Sequence, residues 1–194
     1  MRVTAGLARG HSLITLRGDS VRPTADKVKQ SIFNMIQFGV DGADILDIFC
    51  GSGALGIEAL SRGAASAVFV DIDKRAVATT RVNLKHTKLR EKATILNSDY
   101  KIFIKNCTNE KKYDIMFADP PYEFGVLSDL MANIADLGLL KDDGLLVFEG
   151  GKSLTPLEHS SFSLKKNARY GDTVVLIYSF KDNKEHNENS SLSR

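Results

Sequence analysis

Short apolar runs alternate with amphipathic segments along most of the 194-residue chain. Five of the runs predict buried strands, at residues 44–49, 67–71, 93–96, 113–118 and 144–149. Helical patterns lie between them, at about residues 54–62, 74–87, 100–106 and 127–136. Strands that alternate with helices form a parallel sheet with helices on its faces, so the pattern predicts a doubly wound α/β fold.

Both ends of the chain depart from this alternation. Residues 161–166 and 173–180 predict two strands joined by a turn. The sheet should therefore be mostly parallel and seven-stranded, and it should end in an antiparallel hairpin. At the other end, Val3–Thr4 and Leu13–Leu16 could pair as a small β-ribbon before the core.

The chain is expected to form one globular domain with three parts. Residues 1–40 form an N-terminal extension, in which Thr24 is the predicted N-cap of a helix that ends near Phe38. Residues 41–181 form the core that contains the sheet. Residues 182–194 are polar and rich in Ser and Asn, so we expect this tail to be disordered.

The composition excludes several classes of protein. A hydrophobic content of 43% over this length suits one domain with a sizeable core. No apolar run approaches the roughly 18 residues of a membrane span, and the N-terminus lacks the apolar region of a secretory signal. Two cysteines and four scattered histidines suggest neither a disulfide framework nor a metal site. We expect a cytoplasmic protein that binds no membrane and no metal.

Positive charge is concentrated at the N-terminus. Residues 1–40 carry six basic and two acidic side chains, which give a net charge of +4. Since the whole chain has a net charge of +2, the remaining residues carry a net charge of −2. Four of the six are arginines, which match phosphate geometry better than lysines do: Arg2, Arg9, Arg17 and Arg22. The clustering favours a surface that faces a polyanion, with a solvated surface as the alternative.

Residues 51–56 (GSGALG) match the dinucleotide-binding pattern G-x-G-x-x-G and lie between a predicted strand and a predicted helix. The glycines permit a tight turn and close approach of a ligand, and the helix N-terminus offers backbone N–H groups. Asp71, at the end of the next strand, is placed to bind ribose hydroxyls. A nicotinamide-dependent oxidoreductase is therefore one open alternative.

Nearby acidic residues favour a different cofactor. Asp47 lies within the strand before the glycines, where a carboxylate disfavours a pyrophosphate but suits the ammonium group of S-adenosylmethionine. Asp99 follows the third strand and could accept from an adenine amino group, although a loop-capping role is equally open. The fourth strand should lie beside the first, which brings Asp119 in front of the glycine turn.

The loop of Asp119, Pro120, Pro121 and Tyr122 follows the fourth strand. Proline lacks a backbone donor and restricts the residue before it, so this loop cannot become helical. It should present a carboxylate, a carbonyl oxygen and an aromatic ring, which together suit an exocyclic amino group on a flat base. The alternative is an ordinary turn with a surface tyrosine.

Six segments together resemble a known family. They are residues 2–10 (RVTAGLARG), 22–34 (RPTADKVKQSIFN), 44–64 (DILDIFCGSGALGIEALSRGA), 68–71 (VFVD), 119–122 (DPPY) and 170–173 (YGDT). In these segments the chain resembles the bacterial small-subunit rRNA guanine-N2 methyltransferases of the RsmD type, over about residues 2–180. Many amino-group methyltransferases share the Asp-Pro-Pro-Tyr loop, whereas the Arg-Pro-Thr helix and the long glycine motif are more specific.

The resemblance implies a Rossmann-like class I S-adenosylmethionine-dependent methyltransferase. Its substrate would be a guanine N2 amine in small-subunit ribosomal RNA, naked or within an assembling ribosomal particle, and we expect a monomer. The implied cofactor contacts are Asp47, Phe49, Gly51, Ser52, Gly53, Asp71, Ile72, Asp99 and Tyr100. Catalysis would involve Asp119, Pro120 and Tyr122, and RNA binding would involve Arg2, Arg9, Arg17 and Arg22. Another amino-group methyltransferase, acting on DNA adenine or protein glutamine, is the main alternative.

Overall fold

The computed structural model describes residues 1–16, 23–107, 111–120 and 125–181, except for the side chains of residues 23–25. Its α-helices are α1 (Pro23–Met35), α2 (Ala54–Ser61), α3 (Lys74–His86), α4 (Tyr100–Lys105) and α5 (Val126–Leu137). Its strands are β1 (Asp44–Ile48), β2 (Ser66–Asp71), β3 (Ala93–Asn97), β4 (Tyr113–Ala118), β5 (Leu140–Gly151), β6 (Phe162–Tyr170) and β7 (Thr173–Phe180). The predicted tail at 182–194 lies outside the described residues.

The seven strands form one sheet in the order β3-β2-β1-β4-β5-β7-β6. The pairs from β3 to β5 are parallel, and β7 runs antiparallel to both β5 and β6. This confirms the predicted parallel sheet that ends in a hairpin. The strand order reverses between β1 and β4, so a crevice opens beyond the carboxyl ends of these two strands, where open α/β sheets bind their ligands.

Two hydrophobic layers cover the faces of the sheet. Ile45 of β1 packs into one layer together with Phe33 of α1. Its neighbour Leu46 packs into the opposite layer together with Leu130 of α5. Because side chains alternate along a strand, Asp47 shares the face of Ile45 and is buried there. No helix in the described part of the chain is long and apolar enough to cross a membrane.

Several predicted boundaries are wrong, among them the end of α1, at Met35 and not near Phe38, and the end of β6, at Tyr170 and not at residue 166. Helix α1 begins at Pro23, so Thr24 is its second residue and not its N-cap. Proline is favoured at the first helical position because its missing N–H has no partner there in any case. Strand β5 begins at Leu140, four residues earlier than predicted, because it pairs with β4 through a shift in register. An interrupted strand of this kind does not produce a continuous apolar run.

The predicted N-terminal ribbon forms with a different register. Arg2 pairs with Ser12 in an antiparallel bridge. The N–H of Val3 donates to the carbonyl of His11, and the N–H of Leu13 donates to the carbonyl of Met1, both at 2.9 Å. The pairing thus involves residues 1–3 and 11–13, and not Leu13–Leu16.

A buried carboxylate on α2 holds this ribbon against the core. Glu58 is fully buried and forms ion pairs with Lys29 of α1 at 3.0 Å and with Arg62 at 2.8 Å. It also accepts from the backbone N–H of Thr4 at 2.8 Å and from the Thr4 hydroxyl at 2.7 Å. Burial by itself raises the pKa of Glu58, but Lys29 and the Thr4 hydrogen bonds outweigh it and the net pKa is lowered. The N-terminal segment is therefore anchored by a charged group inside the fold.

Candidate active site

Asp47 lies at the base of the crevice, beneath the glycine turn. Its Oδ2 atom accepts a hydrogen bond from the N–H of Gly56 at 2.9 Å. A side chain on Gly56 would approach the Phe69 ring to 2.3 Å, so only glycine allows the helix this close to the strand. Burial, together with the charges of Asp119 and Asp71, raises the pKa of Asp47 to about 8 against the opposing effect of the Gly56 hydrogen bond.

The glycine turn between β1 and α2 has an unusual backbone conformation. Phe49, Gly51 and Gly53 all have positive φ angles, of 64°, 55° and 77°. Such angles are uncommon for a residue with a side chain, and Phe49 adopts one directly after β1. Helix α3 braces the turn, since the Thr80 hydroxyl donates to the Gly51 carbonyl at 2.9 Å. The turn is thus a shaped loop held by side chains from another element.

Asp71 joins this turn to the loop after β2. Its Oδ2 atom accepts from the N–H of Gly51 at 2.8 Å, and its Oδ1 atom accepts from the N–H of Asp73 at 2.9 Å. Asp73 in turn caps α3 by accepting from the N–H of Arg75 at 2.7 Å. The predicted ribose ligand is therefore also a structural link between two loops at the same edge of the sheet.

A small hollow lies at the carboxyl ends of β2 and β3. It has an empty volume of about 200 Å³ and is lined by Phe49, Val70, Asp71, Ile72, Ser98, Asp99 and Tyr100. The rings of Phe49 and Tyr100 lie 4.9 Å apart and form an apolar wall. Five of the nine predicted cofactor residues thus come together in one place, although they are spread over residues 49–100 of the sequence.

Asp99 at the rim of this hollow caps helix α4. Its Oδ1 atom accepts from the N–H groups of Lys101 at 2.8 Å and Ile102 at 3.3 Å. The capping role that the sequence left open is therefore present. A contact with adenine would have to use the same carboxylate, so that role stays a prediction.

A larger pocket opens next to Asp119 and Pro120. Asp119 is exposed at the end of β4, while Pro120 is buried. The pocket has an empty volume of about 730 Å³, and its wall combines the start of α5 with the end of β5 and the loop that follows. Prominent among its lining residues are Pro120, Leu127, Ser128, Phe148, Gly150 and Leu154. Apart from Pro120, none of these was predicted, since they belong to segments without motifs.

Glu149 is a second carboxyl group near Asp119 that the sequence analysis missed. Ala118 of β4 pairs with Phe148 of β5, so the next residue on each strand is Asp119 and Glu149 respectively. Burial, together with the charge of Asp119, raises the pKa of Glu149 to about 8. The sequence feature that could have identified Glu149 is the presence of an acidic residue near the end of an otherwise apolar strand.

Several predicted residues are described only in part or not at all. Arg2 and Arg9 are described and are exposed on the N-terminal segment. Arg17, Arg22 and Tyr122 lie outside the described residues, so their predicted roles stay predictions. Among the residues that the structure does describe, no group of three or more His, Cys, Asp or Glu could hold a metal ion.

Comparison with known proteins identifies the family. The family described as Conserved hypothetical protein 95 matches residues 1–179. Ribosomal RNA small subunit methyltransferase D of Haemophilus influenzae is 32% identical over 179 residues, which are 92% of this chain and 93% of that protein. The Escherichia coli protein of the same name is also 32% identical and is covered to 89%. The chain belongs to the ribosomal RNA small subunit methyltransferase D family.

Solved structures agree with this assignment. The structure of yhhF from Escherichia coli has a TM-score of 0.83 and 31% identity, and it covers 94% of this chain and 98% of that one. The structure of SMU.776 complexed with S-adenosylhomocysteine has a TM-score of 0.63 and 18% identity, and covers 82% of this chain and 50% of that one. At this identity the second likeness shows the fold, which is the class I methyltransferase fold predicted from the sequence.

The site fits S-adenosylmethionine, the cofactor of this family of enzymes. The hollow offers an aromatic wall and the Asp71 carboxylate for a nucleoside. The glycine turn permits close approach of backbone to ligand, and the Asp47 carboxylate lies beneath it, close to where an ammonium group would bind. The nicotinamide-dependent oxidoreductase that the glycine motif left open is therefore discarded.

Proposed function

We propose that this family member transfers a methyl group from S-adenosylmethionine to the N2 amine of a guanine in small-subunit ribosomal RNA. Family membership supports methyl transfer to ribosomal RNA. The choice of an exocyclic amine rests on one observation: Asp119 and Pro120 follow β4, directly beside the strand that carries Asp47 and the glycine turn. A base in the neighbouring pocket would meet both groups at the edge of the cofactor site.

The cofactor would be held by residues from three loops. These are Asp47, Phe49, Gly51, Ser52, Gly53, Asp71, Ile72, Asp99 and Tyr100. When bound, S-adenosylmethionine supplies a methyl group that its sulfonium charge has already activated. The protein therefore needs to orient the acceptor nitrogen rather than to generate a strong base. Orientation of this kind can lower a barrier by about 7–11 kcal/mol.

Asp119 and Pro120 prepare the amine. A guanine amino group is a weak nucleophile because its lone pair is delocalised into the ring. Hydrogen bonds from its two N–H groups to the Asp119 carboxylate and the Pro120 carbonyl favour a tetrahedral nitrogen and free that lone pair. Tyr122 would hold the base by stacking, which returns about 1–3 kcal/mol of the cost of extruding it from RNA.

The reaction leaves one proton to be removed. Attack of the amine nitrogen on the methyl carbon, with sulfur leaving with its electron pair, would give a methylated amine that carries one surplus proton. Asp119 is placed to accept it late in the reaction, and Glu149 provides a second carboxyl group beside it. Since no strong base is needed, loss of Asp119 should reduce the rate more than it reduces cofactor binding.

The pocket beside Pro120 is the proposed binding site for the base. Phe148 and Leu154 give it an apolar wall, and Ser128 at the start of α5 adds a hydroxyl group. Arg2, Arg9, Arg17 and Arg22 would bind the phosphates of the surrounding RNA. We expect a monomeric cytoplasmic enzyme that acts on ribosomal RNA, either free or within an assembling particle.

A product analysis tests the proposed function. Purified protein is incubated with methyl-labelled S-adenosylmethionine and small-subunit ribosomal RNA, free or in particles from a strain without the family enzyme. Digestion and mass spectrometry should find the label in N2-methylguanosine. Duplex DNA and glutamine-containing peptides serve as parallel substrates for the alternative amino-group acceptors. Label in adenine, in peptide or at another guanine atom would contradict the proposal.

A further inference from the structure

Asn83 of α3 is fully buried and contacts two segments that are distant from it in sequence. Its Oδ1 atom accepts from the N–H of Ile14 at 2.8 Å. Its Nδ2 group donates to the carbonyl of Ile14 and to the carbonyl of Ser52, both at 2.9 Å. One amide therefore bonds to the N-terminal segment (residues 1–16) and to the glycine turn at once.

The chemistry of these partners requires an amide at position 83. Ile14 presents one donor and one acceptor to the side chain, and Ser52 presents a second acceptor. Only Asn or Gln supplies an acceptor oxygen together with two donated hydrogens. An aspartate of the same shape would keep the bond to the Ile14 N–H, but its second oxygen would face two carbonyl oxygens. The substitution Asn83→Asp therefore breaks the connection with almost no change in volume.

Helix α3 makes two further contacts beside these hydrogen bonds. Thr80, one turn before Asn83 on the same helix, holds the adjacent Gly51 carbonyl at 2.9 Å. The His11 ring lies 5.3 Å from the ring of His86, also on α3, and gives the N-terminal segment a second contact with this helix. A movement of the glycine turn thus reaches the N-terminal segment through a short chain of partly buried hydrogen bonds that meet at the buried Asn83 side chain.

We propose that Asn83 is a positioning residue that couples cofactor binding to the order of the N-terminal segment. Ligand in the crevice holds the glycine turn in one position. The Ser52 carbonyl then holds the Asn83 amide, and the amide holds Ile14. Coupling between two sites is reciprocal, so whatever orders the N-terminal segment also strengthens cofactor binding. Where this segment contacts ribosomal RNA, which rests on the proposed function, the cofactor should also strengthen RNA binding.

Hydrogen exchange of the full-length protein tests the coupling. In the wild type, saturating S-adenosylhomocysteine should slow exchange in a peptide that contains Ile14 by about fivefold or more, the lower end of typical coupling effects. In Asn83→Asp this ligand-dependent protection should disappear, and calorimetry should show weaker binding of S-adenosylhomocysteine. The matched control is Asn133→Asp on α5, whose amide donates to the Asp129 carbonyl of its own helix at 2.7 Å.

A second variant approaches the connection from the other side. Ile14→Pro removes the N–H that donates to Asn83 and touches none of the proposed cofactor residues. It should still weaken binding of S-adenosylhomocysteine several-fold at an unchanged melting temperature of the core. Wild-type protein that shows no protection of the Ile14 peptide, or an Ile14→Pro variant with unchanged cofactor affinity, would overturn the proposal.

The RNA arm separates this inference from the proposed function. Binding of a small-subunit RNA fragment is measured with and without S-adenosylhomocysteine. Tighter RNA binding with ligand, lost in Asn83→Asp, supports both the coupling and the RNA contact. If S-adenosylhomocysteine leaves the RNA affinity unchanged but still slows exchange in the Ile14 peptide, the result would contradict the RNA contact of this segment and still support the coupling.

Discussion

The carboxylate of Asp71 accepts a hydrogen bond from the backbone N–H of Gly51 at 2.8 Å. Through it the end of β2 is attached to the glycine turn at the end of β1. The other oxygen of Asp71 binds the N–H of Asp73, where the chain enters α3. Two loops at the cofactor edge thus meet at one side chain, which shapes the site in addition to any direct contact with the ribose.

Asp71→Ala should therefore damage cofactor binding first. We expect the dissociation constant for S-adenosylmethionine to rise at least tenfold, since the turn loses its support together with a ligand group. Loss of two hydrogen bonds should also cost about 1–3 kcal/mol of folding free energy. Calorimetry and urea unfolding measure the two effects. Asp73→Ala is the control, because it removes the cap of α3 and the ion pair with Arg75 but keeps the backbone N–H that binds Asp71, so it should leave cofactor affinity nearly unchanged.

Asp119→Ala should show the opposite defect. Its carboxylate is exposed at the end of β4 and faces the proposed acceptor amine, so cofactor affinity should stay within a few-fold of the wild type. Methyl transfer, measured in a single turnover, should fall by orders of magnitude. Asp172→Ala, in the exposed turn between β6 and β7, is the matched control and should transfer normally. Near-normal transfer by Asp119→Ala would refute the proposed role.

The raised pKa of Glu149 predicts a pH dependence of stability. The folded protein binds this proton up to about pH 8, whereas the unfolded chain loses it near the ordinary pKa of about 4.3. Between these values the folded state carries the extra proton, so its stability falls as the pH rises. Glu149→Gln removes this contribution.

Urea unfolding at several pH values across this window is the measurement. The wild type should lose stability from the acidic to the alkaline end, and Glu149→Gln should lose less. Asp47, whose pKa is also raised to about 8, still contributes in this variant, so the dependence should shrink rather than vanish. An unchanged pH profile would show that Glu149 is ionised in the folded protein.

The N-terminal arginines should contribute salt-sensitive affinity for RNA. For single-stranded RNA, each phosphate contact changes the log–log slope of affinity against salt by about 0.7. Replacing Arg9 and Arg22 together with Gln should therefore weaken binding and make the slope shallower by about one to one and a half. Cofactor affinity should stay the same.

Filter binding of RNA over a range of salt concentrations, with calorimetry of the cofactor, measures both quantities. Arg75→Gln is the control for a general change of charge, since this exposed arginine pairs only with Asp73 at its own helix start. A double variant that keeps its RNA affinity and slope but melts at a lower temperature would show that the two arginines are structural.

The sequence by itself determined the parts of the protein that depend on local chemistry. Apolar runs, together with the helical periodicity of the segments between them, predicted all seven strands. Residues that are buried in a sheet or a helix recur at a regular spacing in the sequence. The glycines at 51–56 predicted the tight turn, which the positive φ angles of Gly51 and Gly53 confirm. The N-cap preference of Thr24 gave the wrong start for helix α1, because the preference of proline for the first helical position was stronger. The helix therefore begins at Pro23.

Only the tertiary structure decided which distant residues meet. Asn83 and Ile14 are 69 positions apart, and Glu58 and Thr4 are 54 positions apart, yet both pairs are joined by hydrogen bonds to a buried side chain. Glu149 is recognisable as a neighbour of Asp119 only from the order and register of β4 and β5. A single polar residue leaves no periodic pattern in a sequence. When it is buried, it has to form hydrogen bonds with the groups around it, and these partners determine its role.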